Sequence, residues 1–344
     1  MIDTSQSQLQ NLALHWVGNK VKDEALKLSK EESGMDRATE MIFWDYVGTA
    51  FKTPQLFAFN GNQGLENHQL FEMVQSVFAN QADFLAQTAR IAERLYQVSD
   101  QPQIKSGELM LAYFNKLSWQ GETYSALGIF KSELKQPFMF TEESEETLEL
   151  YSFKGISPRK VDKAALILNV DSDEGYRILA IDNVDPEQQS FWFKDFLQVR
   201  LLSTEYSQTE KLIGYTRSFI EQDLKTEAEL SPDQAVAYLQ NSKAYWQEEE
   251  GYQPEEYGVR VFEDEAVADR FREYVEVNNH EDLALSEPFQ IDEQAVQRKQ
   301  TVFKSVIKLD RNFHIYVHGN RELIERGRDE EGRKYYKIFY EEES

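Results

Sequence analysis

Apolar residues gather into two pairs of short runs in the first half of the chain, at 108–114 with 124–130 and at 164–170 with 176–182. A polar link containing Gln120, Gly121 and Glu122 separates the first pair, and Asp171, Ser172, Asp173, Glu174 and Gly175 separate the second. Runs of this length, bounded by Gly, Asp and Ser, predict strands joined by tight connections. The apolar residues fall on both parities, as in Leu109-Met110-Leu111 and Leu166-Ile167-Leu168. Successive strand side chains point to opposite faces, so both faces of these strands need cover. The pattern predicts one mainly antiparallel sheet with helices packed on each side.

The surrounding segments supply those helices. Residues 9–17 predict an opening strand, 25–28 a short partner for it, and 55–59 a further short strand. Residues 36–51 carry Met41, Ile42, Phe43, Trp44, Tyr46 and Val47 and predict a buried helix. Residues 66–98 predict two helices that break near Asn80. Leu70, Val74, Val77 and Phe78 form one stripe, and Phe84, Leu85, Thr88, Ile91, Ala92 and Leu95 the other, at the spacing of a single helix face. Phe191, Trp192, Phe193, Phe196 and Leu197 predict a helix that lids the sheet.

A domain boundary is expected near 202–207, dividing 1–204 from 205–344. Beyond it, Ser207 with Glu210 has the form of a capping box for a helix reaching about residue 224. Ser231, Pro232 and Gln234 open another helix, and Asp264 a third with Val267, Phe271 and Tyr274 on one face. Residues 302–309, 313–317 and 333–340 read as strands, the last two linked by a turn or short helix at 320–324 and a turn at 329–332. The expected fold class is α+β: a mainly antiparallel sheet flanked by helices, then a smaller C-terminal domain of acidic helices and a β-rich tail.

Charge changes this picture more than length does. The 344 residues agree with two domains at roughly 150 residues each, but the net charge of −24 is unusual and uneven. Residues 221–293 hold 21 acidic and 5 basic residues, a net of −16; residues 298–338 hold 11 basic and 6 acidic, a net of +5. An evenly spread charge of this size would repel nucleic acid and anionic membranes; the segmentation leaves one cationic module. Earlier in the chain an acidic link, Glu142, Glu143, Glu145, Glu146 and Glu149, reads as a solvated loop or strand edge. Lys154, Arg159, Lys160 and Lys163 after it read as a small basic patch.

The chain has no cysteine, which excludes disulfides, thiol catalysis and Cys-bound zinc. Its first residues have neither the basic region nor the apolar core of a signal peptide, and its apolar runs fall short of the ~20 residues that span a bilayer. A cytoplasmic protein without membrane contact is expected.

Catalytic signatures are scarce. His314 and His318 are four apart, but in a strand they would sit about 13 Å from each other, too far to share a metal. Asp171, Asp173 and Glu174 resemble a calcium loop in composition only, so they read as a hairpin turn. Glu133-Leu134-Lys135 after a strand has the form found in metal-dependent nucleases; that reading needs an acid on a neighbouring strand, from Glu108 or Glu122, and a charged strand end is the commoner reading. No phosphate-cradling Gly-rich loop and no nucleophile elbow is present, so no cofactor, no metal and no enzymatic activity are expected.

The tail carries the binding candidates. Lys304, Lys308, Arg328, Arg333, Lys334 and Lys337 are interleaved with Phe303, Phe313, Tyr316, Tyr335, Tyr336 and Tyr340. Cations on a β surface with aromatic neighbours contact phosphates and sugars; alternatively they pair with the acidic middle region.

Read as a whole, the chain resembles the bacterial nucleoid-associated protein family, in its NdpA-like class. The resemblance rests on Leu12-Ala13-Leu14-His15, on Asp83-Phe84-Leu85-Ala86, on Gly107-Glu108-Leu109-Met110 followed by Tyr124-Ser125-Ala126-Leu127-Gly128-Ile129, on Phe196-Leu197, and on the position of the β-rich tail. It implies a protein of the cytoplasm and nucleoid with no catalytic motif. The expected partner is DNA, reached directly and without sequence preference through the tail, or indirectly through another nucleoid protein that the acidic helices engage.

Overall fold

The structure is a computed structural model; it describes residues 2–52, 55–61, 64–143, 147–184, 191–224, 230–303, 305–308, 313–317 and 324–340. Backbone proximity divides the chain into two compact units, Met1–Leu202 and Ser203–Ser344.

In the first unit seven strands make one sheet in the order β1-β3-β4-β7-β8-β2-β9, with every neighbouring pair antiparallel. These are β1 (Ile2–Val17), β2 (Leu56–Phe59), β3 (Gly107–Trp119), β4 (Glu122–Ser132), β7 (Lys163–Leu168), β8 (Arg177–Asp182) and β9 (Val199–Leu201). The β3–β4 turn has positive φ at Gln120 (51°) and Gly121 (85°), the type I′ geometry whose twist matches that of the strands and which glycine enters without strain.

Both parities are buried, each against different helices. Leu109, Leu111, Leu127, Ile129, Ala165 and Ile167 share a core with α2 (Gln69–Ala79), α3 (Phe84–Val98) and the π-helical turn Phe191–Leu197. Met110, Ala112, Phe114, Ala126, Phe130 and Leu166 pack on the other face against α1 (Arg37–Ala50). The break between α2 and α3 falls at Asn80, whose side chain accepts from the Ala82 N–H and so starts the next turn. Helix α1 departs from expectation: only Phe43, Tyr46, Val47 and Ala50 are buried, while Met41 and Ile42 are 65% and 53% exposed. The sheet covers one side of this helix, so the all-round apolar pattern is not all used.

Two buried histidines tie these layers together. His15 Nδ1 accepts from the Ser29 N–H at 3.2 Å and its Nε2 lies 3.1 Å from Thr88 Oγ1. His68 caps α2, accepting from the Phe71 N–H at 3.1 Å. Burial pulls both imidazoles below their usual range, consistent with neutral rings that accept at Nδ1.

A second, separate sheet was not foreseen. Strands β5 (Gln136–Glu143) and β6 (Leu148–Gly155) pair antiparallel with each other and with no other described strand. Of the acidic link, expected as a solvated loop or strand edge, Glu142 and Glu143 end β5 and Glu149 lies in β6; Glu145 and Glu146 lie outside the described residues. The expected basic patch also changes: Lys154, Arg159 and Lys160 are exposed, but Lys163 is buried in β7 beside Lys131 and Asp182.

In the second unit α4 (Glu205–Ser218) continues as a π-helical turn to Leu224. Its cap is Thr204, with Ser207 closing the capping box, three residues before the expected one; Ser207 is the third helical residue, and Glu210 pairs with Lys299 at 3.2 Å. Helix α5 (Pro232–Glu248) starts with the Ser231–Gln234 box as expected. Helices α6 (Pro254–Phe262), α7 (Glu265–Asn278) and α8 (Glu293–Arg298) follow, and β10 (Gly251–Tyr252) pairs with β11 (Phe289–Gln290). The core here is aromatic: Phe219 meets Phe262 and Phe271, and Trp246 stacks on Tyr252. The Tyr257 hydroxyl lies among Thr216, Ser242 and Trp246 at 2.6, 2.8 and 3.2 Å, and burial pushes its phenol up to about 12.

Two hairpins complete the unit: β12 (Ser305–Lys308) with β13 (His314–Val317), and β14 (Ile324–Arg328) with β15 (Lys334–Ile338). Ile324, placed at the end of a turn or short helix by the sequence pattern, begins β14. The 329–332 turn joins β14 to β15, held by Gly332 N–H to Asp329 O and Asp329 N–H to Arg333 O, both 3.0 Å.

Candidate nucleic-acid interface

The candidate cations of the tail do not form one uniform patch. Lys304 lies outside the described residues, as do Arg311 and His318. Lys308 ends β12 opposite His314. Arg328, Arg333, Lys334 and Lys337 all belong to the β14–β15 hairpin and are exposed.

Register decides what each of these four meets. Arg328 lies opposite Lys334, Gly327 opposite Tyr335, Glu325 opposite Lys337, and Ile324 opposite Ile338. Directly opposed residues share a face about 5 Å apart. One face therefore runs from Ile324 and Ile338 through Tyr336 to the Arg328–Lys334 pair at the turn. Ile324 and Tyr336 pack with Ile315 around Val236 of α5, which anchors the hairpin and leaves Arg328 and Lys334 in solvent. Neither has an ion-pair partner among the described residues.

The other face is electrically closed. Arg333 bonds Asp329 at 2.7 Å and Glu331 at 3.1 Å. Lys337 sits 3.6 Å from Glu325 and 4.4 Å from the centre of the Phe339 ring. The Arg333 guanidinium holds the Asp329 carboxyl below the usual carboxylate range, so this pair stays ionised in neutral solution. Tyr335 lies over Gly327, where an added Cβ would come within 2.4 Å of its ring. Between Ile324 and Phe339 the sequence has five cations (Arg326, Arg328, Arg333, Lys334, Lys337) and four acids (Glu325, Asp329, Glu330, Glu331), a net of +1. Counting charges along the chain did not disclose the roles of Glu325, Asp329 and Glu331; their positions relative to the turn were the available signal.

The nuclease alternative meets different chemistry in the first unit. The Glu133 side chain is buried, with one oxygen 2.8 Å from Lys131 Nζ and the other 3.5 Å from Lys163 Nζ, and Lys163 also bonds Asp182 at 2.8 Å. Asp162 accepts the backbone N–H groups of Glu133 and Leu134 at 2.7 and 2.8 Å. Burial pulls the Lys131 ammonium below its usual range, against the pull of Glu133. Lys135 is taken by Glu108. These groups neutralise one another across β4, β7 and β8. Among the described residues no three His, Asp or Glu side chains converge as metal ligands. In the Asp171 turn the acids hold Arg177, at 2.9 Å from Asp171 and 2.6 Å from Glu174. An open cleft of about 650 Å³ beside this turn is lined by Glu66, Asp173 and Glu174 against one cation, Arg200, a balance that disfavours a polyanion.

No helix among the described residues is long and apolar enough to cross a membrane. No curated protein matches the chain. The family model for nucleoid-associated protein YejK matches residues 14–344, and the chain belongs to that family.

Proposed function

We propose that this chain is a non-enzymatic, nucleoid-associated protein that makes weak, sequence-independent contact with DNA through its C-terminal hairpins. The observation that carries the reading is the Arg328–Lys334 pair, two exposed cations side by side, neither paired with an acid among the described residues. Phosphate contacts of this kind position a protein on a duplex without reading bases. Arg333 and Lys337 contribute less, because a phosphate must displace Asp329, Glu331 or Glu325 to reach them. Lys304 and Lys308 belong to the same proposed contact surface by sequence position.

A second reading has its own observation. The net of −16 over residues 221–293 favours a protein-binding adaptor that reaches the nucleoid by engaging a basic partner. Titration of the full chain against duplex DNA at several salt concentrations separates the two. With about two phosphates neutralised, log K should fall with log salt at a slope of about −1.8. Arg328→Glu with Lys334→Glu should abolish binding, and Arg333→Glu with Lys337→Glu should weaken it less. Equal binding by the Arg328/Lys334 variant and the parent would remove the hairpin from the interface. Absence of DNA binding at about 50 mM salt, with retention on a basic nucleoid protein, would leave the adaptor reading in its place.

A further inference from the structure

The face of the β14–β15 hairpin that turns away from α5 carries an uncovered aromatic ring. Tyr335 lies opposite Gly327, and its ring crosses the neighbouring strand where a side chain at 327 would collide with it. Glycine inside a strand weakens the strand and marks a place where another group approaches its backbone closely. Here that group is the Tyr335 ring, which lies over Gly327 and leaves its other side open. Tyr335 is 47% exposed. Among the described residues no other ring packs on it and no hydrogen bond holds its hydroxyl. The opposite face of the hairpin is anchored on α5 through Ile324 and Tyr336, so the ring is not part of the packing that holds the hairpin in place.

Charge decides what such a ring can hold. Arg333 and Lys337 stand two residues to either side of Tyr335, about 7 Å along the chain, and Lys337 lies over the Phe339 ring. Both cations are already met by acids, Arg333 by Asp329 and Glu331, and Lys337 by Glu325. A balanced face of this kind exerts little long-range pull on a phosphate backbone. An aromatic ring, in contrast, stacks on a nucleobase whatever the sequence, because every base has a π-face. Inside a duplex those faces are covered by the neighbouring base pairs, and a protein meets only base edges and phosphates. An unpaired base is free to stack, and its own phosphates then lie within reach of Arg333 and Lys337.

We propose that the Tyr335 face is a stacking platform for an unpaired base of single-stranded DNA. The hairpin then has two working faces: Arg328 and Lys334 meet duplex phosphates on one, and Tyr335 takes a base on the other. The inference rests on the reading that this hairpin contacts DNA, and it adds a form of DNA that the cation pair does not select. Because the two contacts use opposite faces, each can be removed without the other. Tyr335 needs only its ring for this role, since its hydroxyl has no partner, and it needs Gly327 beneath it.

The test offers the full chain three ligands: a thymine oligonucleotide, an abasic strand of the same length, and a duplex. The chain should bind the thymine strand about tenfold tighter than the abasic one. Tyr335→Leu, which still covers Gly327 with an apolar side chain, should remove that preference, and Tyr335→Phe should keep it. Duplex binding should be unchanged in both variants, which also reports that the hairpin is folded. Arg328→Glu with Lys334→Glu should lose the duplex yet still prefer the thymine strand to the abasic one. Equal binding of the two strands, a preference that survives Tyr335→Leu, or a preference lost in Tyr335→Phe would overturn the proposal, and duplex binding in the same titrations would leave the DNA reading standing. Failure to bind any of the three ligands would overturn both. Tighter binding of a uracil RNA than of the thymine strand would overturn the assignment to DNA.

Discussion

The β5–β6 and β14–β15 hairpins are both two-stranded, aromatic and rich in charge, yet they dispose of that charge in opposite ways. In β14–β15 the acids and bases alternate around the turn, so register brings Glu325 to Lys337 and the turn brings Asp329 to Arg333. Arg328 and Lys334 face outward with no ion-pair partner among the described residues. In β5–β6 the acids lie at one end and the base at the other, so register opposes Glu142 to Glu149 and no ion pair among the described residues cancels them. Net charge along a segment is therefore a poor guide to the field it projects. The cationic tail is partly closed on itself, and the short acidic link is open.

The contrast rests on hairpin charges acting outward rather than holding the fold, and the largest effect that can test this lies in the buried cluster of the main sheet. Lys163→Met removes the cation between Glu133 and Asp182 and leaves two carboxylates buried without it. Breaking a buried pair from one side costs about 3–5 kcal/mol, which chemical denaturation should register as a large drop in midpoint. Charge reversals at Arg328 or Lys334 should leave the same midpoint almost unmoved. A comparable drop from the hairpin substitutions would show that their charges serve stability, and the contrast would fail.

A smaller effect sharpens the comparison from the basic side. Asp329→Asn with Glu325→Gln and Glu331→Gln should free Arg333 and Lys337. Asparagine at 329 keeps the oxygen that accepts the Glu331 and Arg333 N–H groups, so the turn is retained. The salt slope of DNA binding should then steepen from about −1.8 toward about −3.6, as two more phosphates are neutralised. An unchanged slope would mean that those cations are not held back by their acids.

The sequence announced the main sheet because burial on two faces writes apolar residues on both parities, and β3, β4, β7 and β8 all carry that mark. Asn80 announced the α2–α3 break because its side chain favours a turn over a helix interior. What stayed hidden depended on register or on competing local signals. Strand β14 has one apolar residue, Ile324, among Glu325, Arg326 and Arg328, so no periodicity betrays it. The acids at 142–149 read as a solvated loop or strand edge, and since neither β5 nor β6 is buried, no apolar pattern marked them as a paired hairpin. Thr204 and Ser207 are both good cap residues three apart, and only packing selects between them. The candidate site was legible as a list of cations; which of them are spoken for was not, because Glu325–Lys337 and Asp329–Arg333 are set by where the turn falls.

The smallest effect would convert one hairpin into the other. Glu149→Lys places a cation opposite Glu142, the arrangement that Glu325 and Lys337 already have. Tyr151 loses the carboxylate that its hydroxyl donates to, but at an exposed position water replaces that acceptor. Exchange of an opposed like-charge pair for an opposite-charge pair is worth about 0.2–1 kcal/mol locally. Amide hydrogen exchange in β5 and β6 should therefore slow by a few-fold at most. Faster exchange in the variant would mean that Glu149 supports the hairpin from within, and the contrast with the β14–β15 hairpin would fail.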